Sequence, residues 1–252
     1  MRLEQIFRKM APVAALAAAT ALSGCGINSV DGVPLAELDT SGPAPSGVAL
    51  GGSDLVVITS GDTFTIDIEG SEEAQEAMRF DLDEDTLSIG RESDDGGQAT
   101  VNITMPAPTS LAVGGSGQIT TDAMSGDPEI AIGGSGQIIA TGLDGGRLEV
   151  ALGGSGRTEI SGEVDNLELA IGGSGTADMA DLQVGDAEIS VGGSGNATFA
   201  SDGNVEARIA GSGDIRVTGS ATCTLNSVGS GRLICEEAPA EPEDDDGDTA
   251  EE

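Results

Sequence analysis

The sequence predicts an all-β fold, a single-stranded parallel β-helix (a β-solenoid) with rungs of about 19 residues, and three observations carry that prediction. The tetrapeptide Gly-Gly-Ser-Gly recurs at a near-constant period. Apolar residues alternate on both sides of its copies. Those apolar residues are chiefly Ile, Leu, Val and Ala, with only four Phe and no Trp or Tyr in 252 residues. A thin solenoid has room inside for such side chains and little room for rings.

At the N-terminus, Arg2, Arg8 and Lys9 precede an Ala-rich apolar stretch from Ala11 to Leu22. The stretch has signal-peptide length and is too short to span a bilayer, so residues 1–24 are expected to leave the mature protein. Leu22-Ser23-Gly24-Cys25 resembles the bacterial lipobox, whose Cys is lipidated and becomes the new N-terminus. Acyl chains on Cys25 would anchor the protein at about 0.8 kcal/mol per buried CH₂. Gly26 stands where Asp would signal inner-membrane retention, so the expected address is the outer membrane, with the periplasmic or the surface face both open. Residues 25–47, with Pro34, Pro43 and Pro45 among Gly and Ser, read as the lipidated terminus and a flexible tether.

The folded body is expected over residues 48–235. Leu55–Thr59, Phe64–Ile68, Leu87–Ile89 and Val101–Met105 read as strands, Ser71–Met78 as a short helix with Ser71 as N-cap, and Asp94–Gly97 as a surface turn. Gly51-Gly52-Ser53-Asp54 is a candidate decayed repeat.

Full tetrapeptides begin at Gly114, Gly133, Gly153, Gly172 and Gly192, and degenerate ones at Ala210 and Val228. Their serines, Ser116, Ser135, Ser155, Ser174, Ser194, Ser212 and Ser230, are separated by 19, 20, 19, 20, 18 and 18 residues. Before the glycines come alternating sets such as Leu148, Val150 and Leu152, and after them pairs such as Ile138 and Ala140 or Ala197 and Phe199. Period two means strand, so each unit reads as strand, glycine corner, strand and second turn, the last carrying Gly142, Gly162, Asp181, Gly203 or Gly219. So short a unit cannot bury a face alone, and successive units must stack. The glycines are assigned to tight corners, and the serines to a structural column whose hydroxyls bond the next corner's backbone.

This order of segments resembles one family of bacterial envelope proteins, the head GIN domain family of auto-transporter adhesins. The resemblance is carried by Leu55-Val56-Val57-Ile58-Thr59-Ser60-Gly61-Asp62, Thr86-Leu87-Ser88-Ile89, Val101-Asn102-Ile103-Thr104-Met105-Pro106 and the train of Gly-Ser-Gly corners. It implies a right-handed β-helix exported to the cell envelope, and brings no catalytic residues.

Cys223 and Cys235 lie six residues either side of Gly229, both on inward positions. In an oxidising compartment they are expected to form a disulfide worth about 3 kcal/mol by the chain-entropy model; two buried free thiols are the other reading. From Glu236 to Glu252 there are ten acids and no basic residue, a composition expected to stay disordered.

Composition excludes several functions. The net charge of -34 would repel a nucleic acid, and the absence of His removes histidine-activated nucleophiles and imidazole zinc sites. Gly-Gly-Ser-Gly lacks the Gly-x-Ser-x-Gly elbow spacing. The Asp of the calcium-binding nonapeptide is replaced by Ile119, Ile138, Thr158, Ala177, Ala197, Ile215 and Leu233, and Asp244-Asp245-Asp246 lacks the alternation of an EF-hand. No catalytic, cofactor or metal site is expected. The functional expectation is a non-enzymatic envelope lipoprotein, an adhesin or binding module for an unknown protein or glycan partner. A structural spacer is the alternative, and a polysaccharide-acting enzyme ranks last because Arg147, Arg157, Arg208, Arg216 and Arg232 form no evident cluster.

Overall fold

The computed structural model describes residues 32–83 and 85–236. The signal peptide, Cys25 and the tail beyond Glu236 lie outside the described residues. The described chain forms one 17-stranded sheet wound into a β-solenoid of about seven turns with rungs of about 19 residues.

The N-terminal end differs from the rest. It holds β1 (Gly47–Leu50), β2 (Leu55–Ser60), β3 (Thr65–Glu69), helix α1 (Glu72–Ala77), β4 (Met78–Asp83), β5 (Thr86–Arg91) and β6 (Thr100–Met105). The two antiparallel pairings between strands, β3 with β6 and β4 with β5, occur here and cover the edges of the first rungs. Ser71 is the N-cap of α1, its Oγ accepting the Ala74 N–H at 3.1 Å. Residues 32–46, read above as tether, partly dock. Val33 and Phe80 exchange two backbone hydrogen bonds of 2.8 Å, and Leu35 and Leu38 pack on the core. Two apolar side chains and the backbone bridge from Val33 to β4 outweigh the Pro and Gly content that suggested a free linker.

The regular rungs follow, with every pairing parallel. They comprise β7 (Ser110–Val113), β8 (Gln118–Thr121), β9 (Glu129–Ile132), β10 (Gln137–Leu152), β11 (Arg157–Gly173), β12 (Thr176–Gly193), β13 (Asn196–Ser201), β14 (Asn204–Gly211), β15 (Asp214–Thr218), β16 (Thr222–Gly229) and β17 (Arg232–Glu236). Identical repeat positions stack: Ile138 on Thr158, Thr158 on Ala177, Ala177 on Ala197, Ala197 on Ile215. Burying such side chains fully is worth about 1.5–3 kcal/mol for each Val, Leu or Ile.

The second turn is not a turn in the central rungs. In β10, β11 and β12 the chain stays in the ladder through the bend, with register shifts between Ala140 and Leu143, Glu159 and Gly162, and Met179 and Gln183. These shifts absorb the alternation of 19- and 20-residue spacings as bulges. The bends also point Leu143, Val164, Leu182 and Val184 inward, all buried, a third strip of core that the two-strand reading did not include. At the lower rungs Asp residues bind the following bend: Asp186 accepts the Asn204 N–H and Asp202 the Ser220 N–H, each at 2.8 Å.

The glycine corners have a division of labour. The second glycine of the later copies, Gly154, Gly173, Gly193, Gly211 and Gly229, has φ between 131° and 153°. A Cβ at Gly173 would lie 2.5 Å from the Gly154 carbonyl oxygen. The last glycine is buried in all seven copies, and a Cβ at Gly117 would meet the Asp54 carbonyl oxygen at 2.6 Å. The first glycine has room, since a Cβ at Gly172 or Gly192 finds its nearest atom at 3.9 Å. Ala210 and Val228 replace this first glycine alone, which gives the degeneracy of the last two copies a steric reason. Gly51–Asp54 is an eighth corner, because the N–H groups of Ser116 and Gly117 both donate to the Gly52 carbonyl at 2.8 and 2.9 Å.

Candidate binding face

All seven corner serines are exposed. Their hydroxyls are not what joins the rungs. The backbone N–H donates instead, from Ser135 to Gly115 at 3.0 Å, Ser155 to Gly134 at 3.0 Å and Ser174 to Gly154 at 2.8 Å. Backbone groups already occupy the inter-rung hydrogen-bonding direction, which leaves the side chain facing solvent. Cys223 and Cys235 are joined by a disulfide with a Cα separation of 6.7 Å. They stack on the inward-facing Val205 and Val217, with no rung beyond to cover them among the described residues.

The feature that can hold a partner lies on the outer face of the strands before each corner. Parallel register places Ala112, Ala131, Ala151 and Ala170 in one column, continued by Ser190, Arg208 and Asn226. Beside it runs the first position of each corner, Gly133, Gly153, Gly172, Gly192, Ala210 and Val228. From Ala131 to Val228 the two columns line an open groove of about 640 Å³, with a predominantly apolar surface. The serine column does not line it. The sequence signal is a small residue two places before each glycine pair, an outward position that the inward alternation does not mark.

An acidic ladder runs alongside. Glu129, Glu149, Glu168, Glu188 and Glu206 are register partners, one per rung. Arginines answer part of this charge from adjacent columns: Arg147 pairs with Glu168, and Arg208 pairs with both Glu188 and Glu206. The Arg208 guanidinium is held charged beyond its ordinary range, first by its hydrogen bond to Glu188. Arg157 meets Asp178 at 3.5 Å, Arg216 meets Glu236 at 3.8 Å, and Arg232 meets Asp214 at 2.8 Å. The Arg232 hydrogen bond lowers the Asp214 pKa. Each arginine of the regular rungs thus has an acidic partner. Among the described residues, no group of three or more His, Cys, Asp or Glu is placed to hold a metal ion.

One buried ionic contact lies at the opposite end. Asp54 and Arg91 are 0% and 4% exposed, with Oδ2 and Nε 3.4 Å apart. Asp54 Oδ1 accepts the Ala99 N–H at 2.8 Å, and Arg91 donates to the Gly97 carbonyl at 2.7 Å. Burial raises the Asp54 pKa, opposed by the Ala99 hydrogen bond and by Arg91. This pair fastens the first corner to the turn after β5 and has no opening to a ligand.

Solved structures share the fold. A "putative adhesin" from Bacteroides fragilis superposes with a TM-score of 0.68 at 19% identity, over 77% of this chain and 92% of its own. A "putative lipid binding protein" from Parabacteroides distasonis gives 0.60 at 20% identity, over 78% and 94%. A "putative adhesin" from Parabacteroides merdae gives 0.57 at 17%, over 78% and 92%. No protein of curated function matches. The family model described as "Putative auto-transporter adhesin, head GIN domain" matches residues 44–221, more than half of the chain. With the wound sheet and its stacked glycine corners, that match places the chain in this head GIN domain family.

Proposed function

We propose that this protein is a non-enzymatic binding module of the cell envelope, anchored by lipid at Cys25, and that the alanine and glycine groove is its binding face. The observation that carries the reading is the groove itself, an apolar channel of about 640 Å³ on a surface otherwise crowded with carboxylates. Between Ala131 and Asn226 it crosses five inter-rung steps, about 24 Å at the usual strand spacing. Such a channel suits an extended apolar chain, and a relative bearing the words lipid binding agrees with that chemistry. The small side chains offer few donors and no aromatic anchor, so affinity would come from area and shape.

The test is a deletion strain complemented by the wild-type chain or by Ala151→Gln/Ala170→Gln, which fills the groove from two half-exposed positions. Loss of attachment with a sound envelope, unrepaired by the variant, supports the binding role. Detergent sensitivity with normal attachment supports the spacer role, for which the parallel ladder that continues through the bends of β10–β12 is the favouring feature. Globomycin should make the unprocessed precursor accumulate if Cys25 carries the anchor; unaffected processing would remove the lipid from the account.

A further inference from the structure

The two ends of the solenoid are finished differently. The N-terminal rungs are covered by α1 and the antiparallel β3 and β4, whereas among the described residues β16 has a strand on one side only, β14. Thr222 and Ser230 donate to the Gly203 and Gly211 carbonyls. By the alternation of a strand, Cys223, Leu225 and Ser227 therefore direct their N–H and C=O groups off the free edge. Exposed edges of this length are usually guarded by charge or proline. β16, Thr-Cys-Thr-Leu-Asn-Ser-Val-Gly, has neither in a chain of net charge -34. The glutamate ladder stops one rung before it: Glu206 is followed by Thr224, and Arg208 by Asn226. Leu225 and Val228 are 41% and 78% exposed, among the few large apolar side chains so placed. The neighbouring end strand β17 is charged at both ends, by Arg232 and Glu236.

We infer that β16 is an interface for a second copy of this chain, joined edge to edge in antiparallel register about a two-fold axis at Leu225. This register preserves the faces of both solenoids. Leu225 meets the partner's Leu225 and Cys223 meets the partner's Ser227, all from inward columns, while Thr224 meets the partner's Asn226 outside. The residues with free backbone groups are the ones that form hydrogen-bonded pairs in this arrangement. The joining strand itself carries no charge, so no carboxylate is buried where two acidic rods would meet. The chain's own segment 237–252 suits the edge poorly, with nine acids and two prolines that cannot donate.

The test is register-specific cross-linking of the full chain in isolated membranes. Thr224→Cys/Asn226→Cys places two thiols in each copy opposite two in the other, in non-hydrogen-bonded pairs, so mild oxidation should yield a dimer on a non-reducing gel. Glu206→Cys/Arg208→Cys, one rung inward on the same face, should not. Adding Leu225→Lys to the first variant, which sets two like charges on the axis at a position open to solvent in the single chain, should reduce the dimer by about tenfold or more. No dimer from the first variant, or equal dimer from both double-cysteine variants, overturns the inference. So does a first variant whose thiols are shielded by the chain's own tail.

Discussion

Replacing Gly173 by Ala tests the corner geometry, with Gly172→Ala as an internal reference one residue away. Gly173 has φ 143°, a conformation that costs an L-residue about 1–3 kcal/mol. Its new Cβ would lie 2.5 Å from the Gly154 carbonyl oxygen, the same oxygen that accepts the Ser174 N–H at 2.8 Å. Relieving that contact moves one rung from the next and weakens the hydrogen bond, a further loss of about 1 kcal/mol. The expected destabilisation is about 3 kcal/mol, or a fall in Tm of about 9 °C for a domain of this size. At Gly172 the nearest atom to a new Cβ is 3.9 Å away, so Ala there should be neutral or stabilise by about 0.5 kcal/mol through the unfolded chain. Urea denaturation followed by far-UV circular dichroism measures both. Equal stability of the two variants, within experimental error, would refute the argument that the second glycine is required and the first is not.

Other perturbations probe separate parts of the fold. Thr158 is fully buried, its hydroxyl has no partner, and its column neighbours are Ile138 and Ala177, so Thr158→Val should stabilise by about 1 kcal/mol in the same denaturation assay. Removing the disulfide with Cys223→Ala/Cys235→Ala should cost about 3 kcal/mol; the loss should appear as faster amide exchange in residues 222–236, with the central rungs unchanged. The Asp54 pKa is raised above its ordinary 3.8, so its contribution to stability is present in full below that pH and is lost as pH rises through the folded value. Melts from pH 4 to 7 should therefore show Asp54→Asn gaining stability relative to wild type as pH increases; a constant difference would contradict the assignment. Asp186, Asp202 and Asp214 have lowered values through hydrogen bonds from Asn204, Ser220 and Arg232, and act in the opposite sense as pH falls below 3.8.

The rungs were legible from sequence because the period-two code is read by burial: Leu148, Val150 and Leu152 have to face inward wherever the next rung stacks. The bends were less legible. Gly142 and Gly162 carry turn chemistry, yet neighbouring rungs keep pairing through the bend, so local propensity was overruled by the parallel ladder and the core role of Leu182 and Val184 stayed hidden. The docking of Leu35 and Leu38 was not legible because two isolated apolar residues have no period. The groove was obscured for a related reason. Ala131, Ala151 and Ala170 are unremarkable singly, and become a channel only when register stacks them one above another. The corner serines, the most visible repeat in the sequence, sit outside that channel.

Binding of an extended apolar chain in the alanine and glycine channel is tested most directly by titrating the full chain with a fluorescent long-chain fatty acid. Saturable binding is expected for the wild type and its loss in Ala151→Gln/Ala170→Gln, with the circular dichroism spectrum unchanged. Equal binding by both proteins, or none by the wild type, would contradict it.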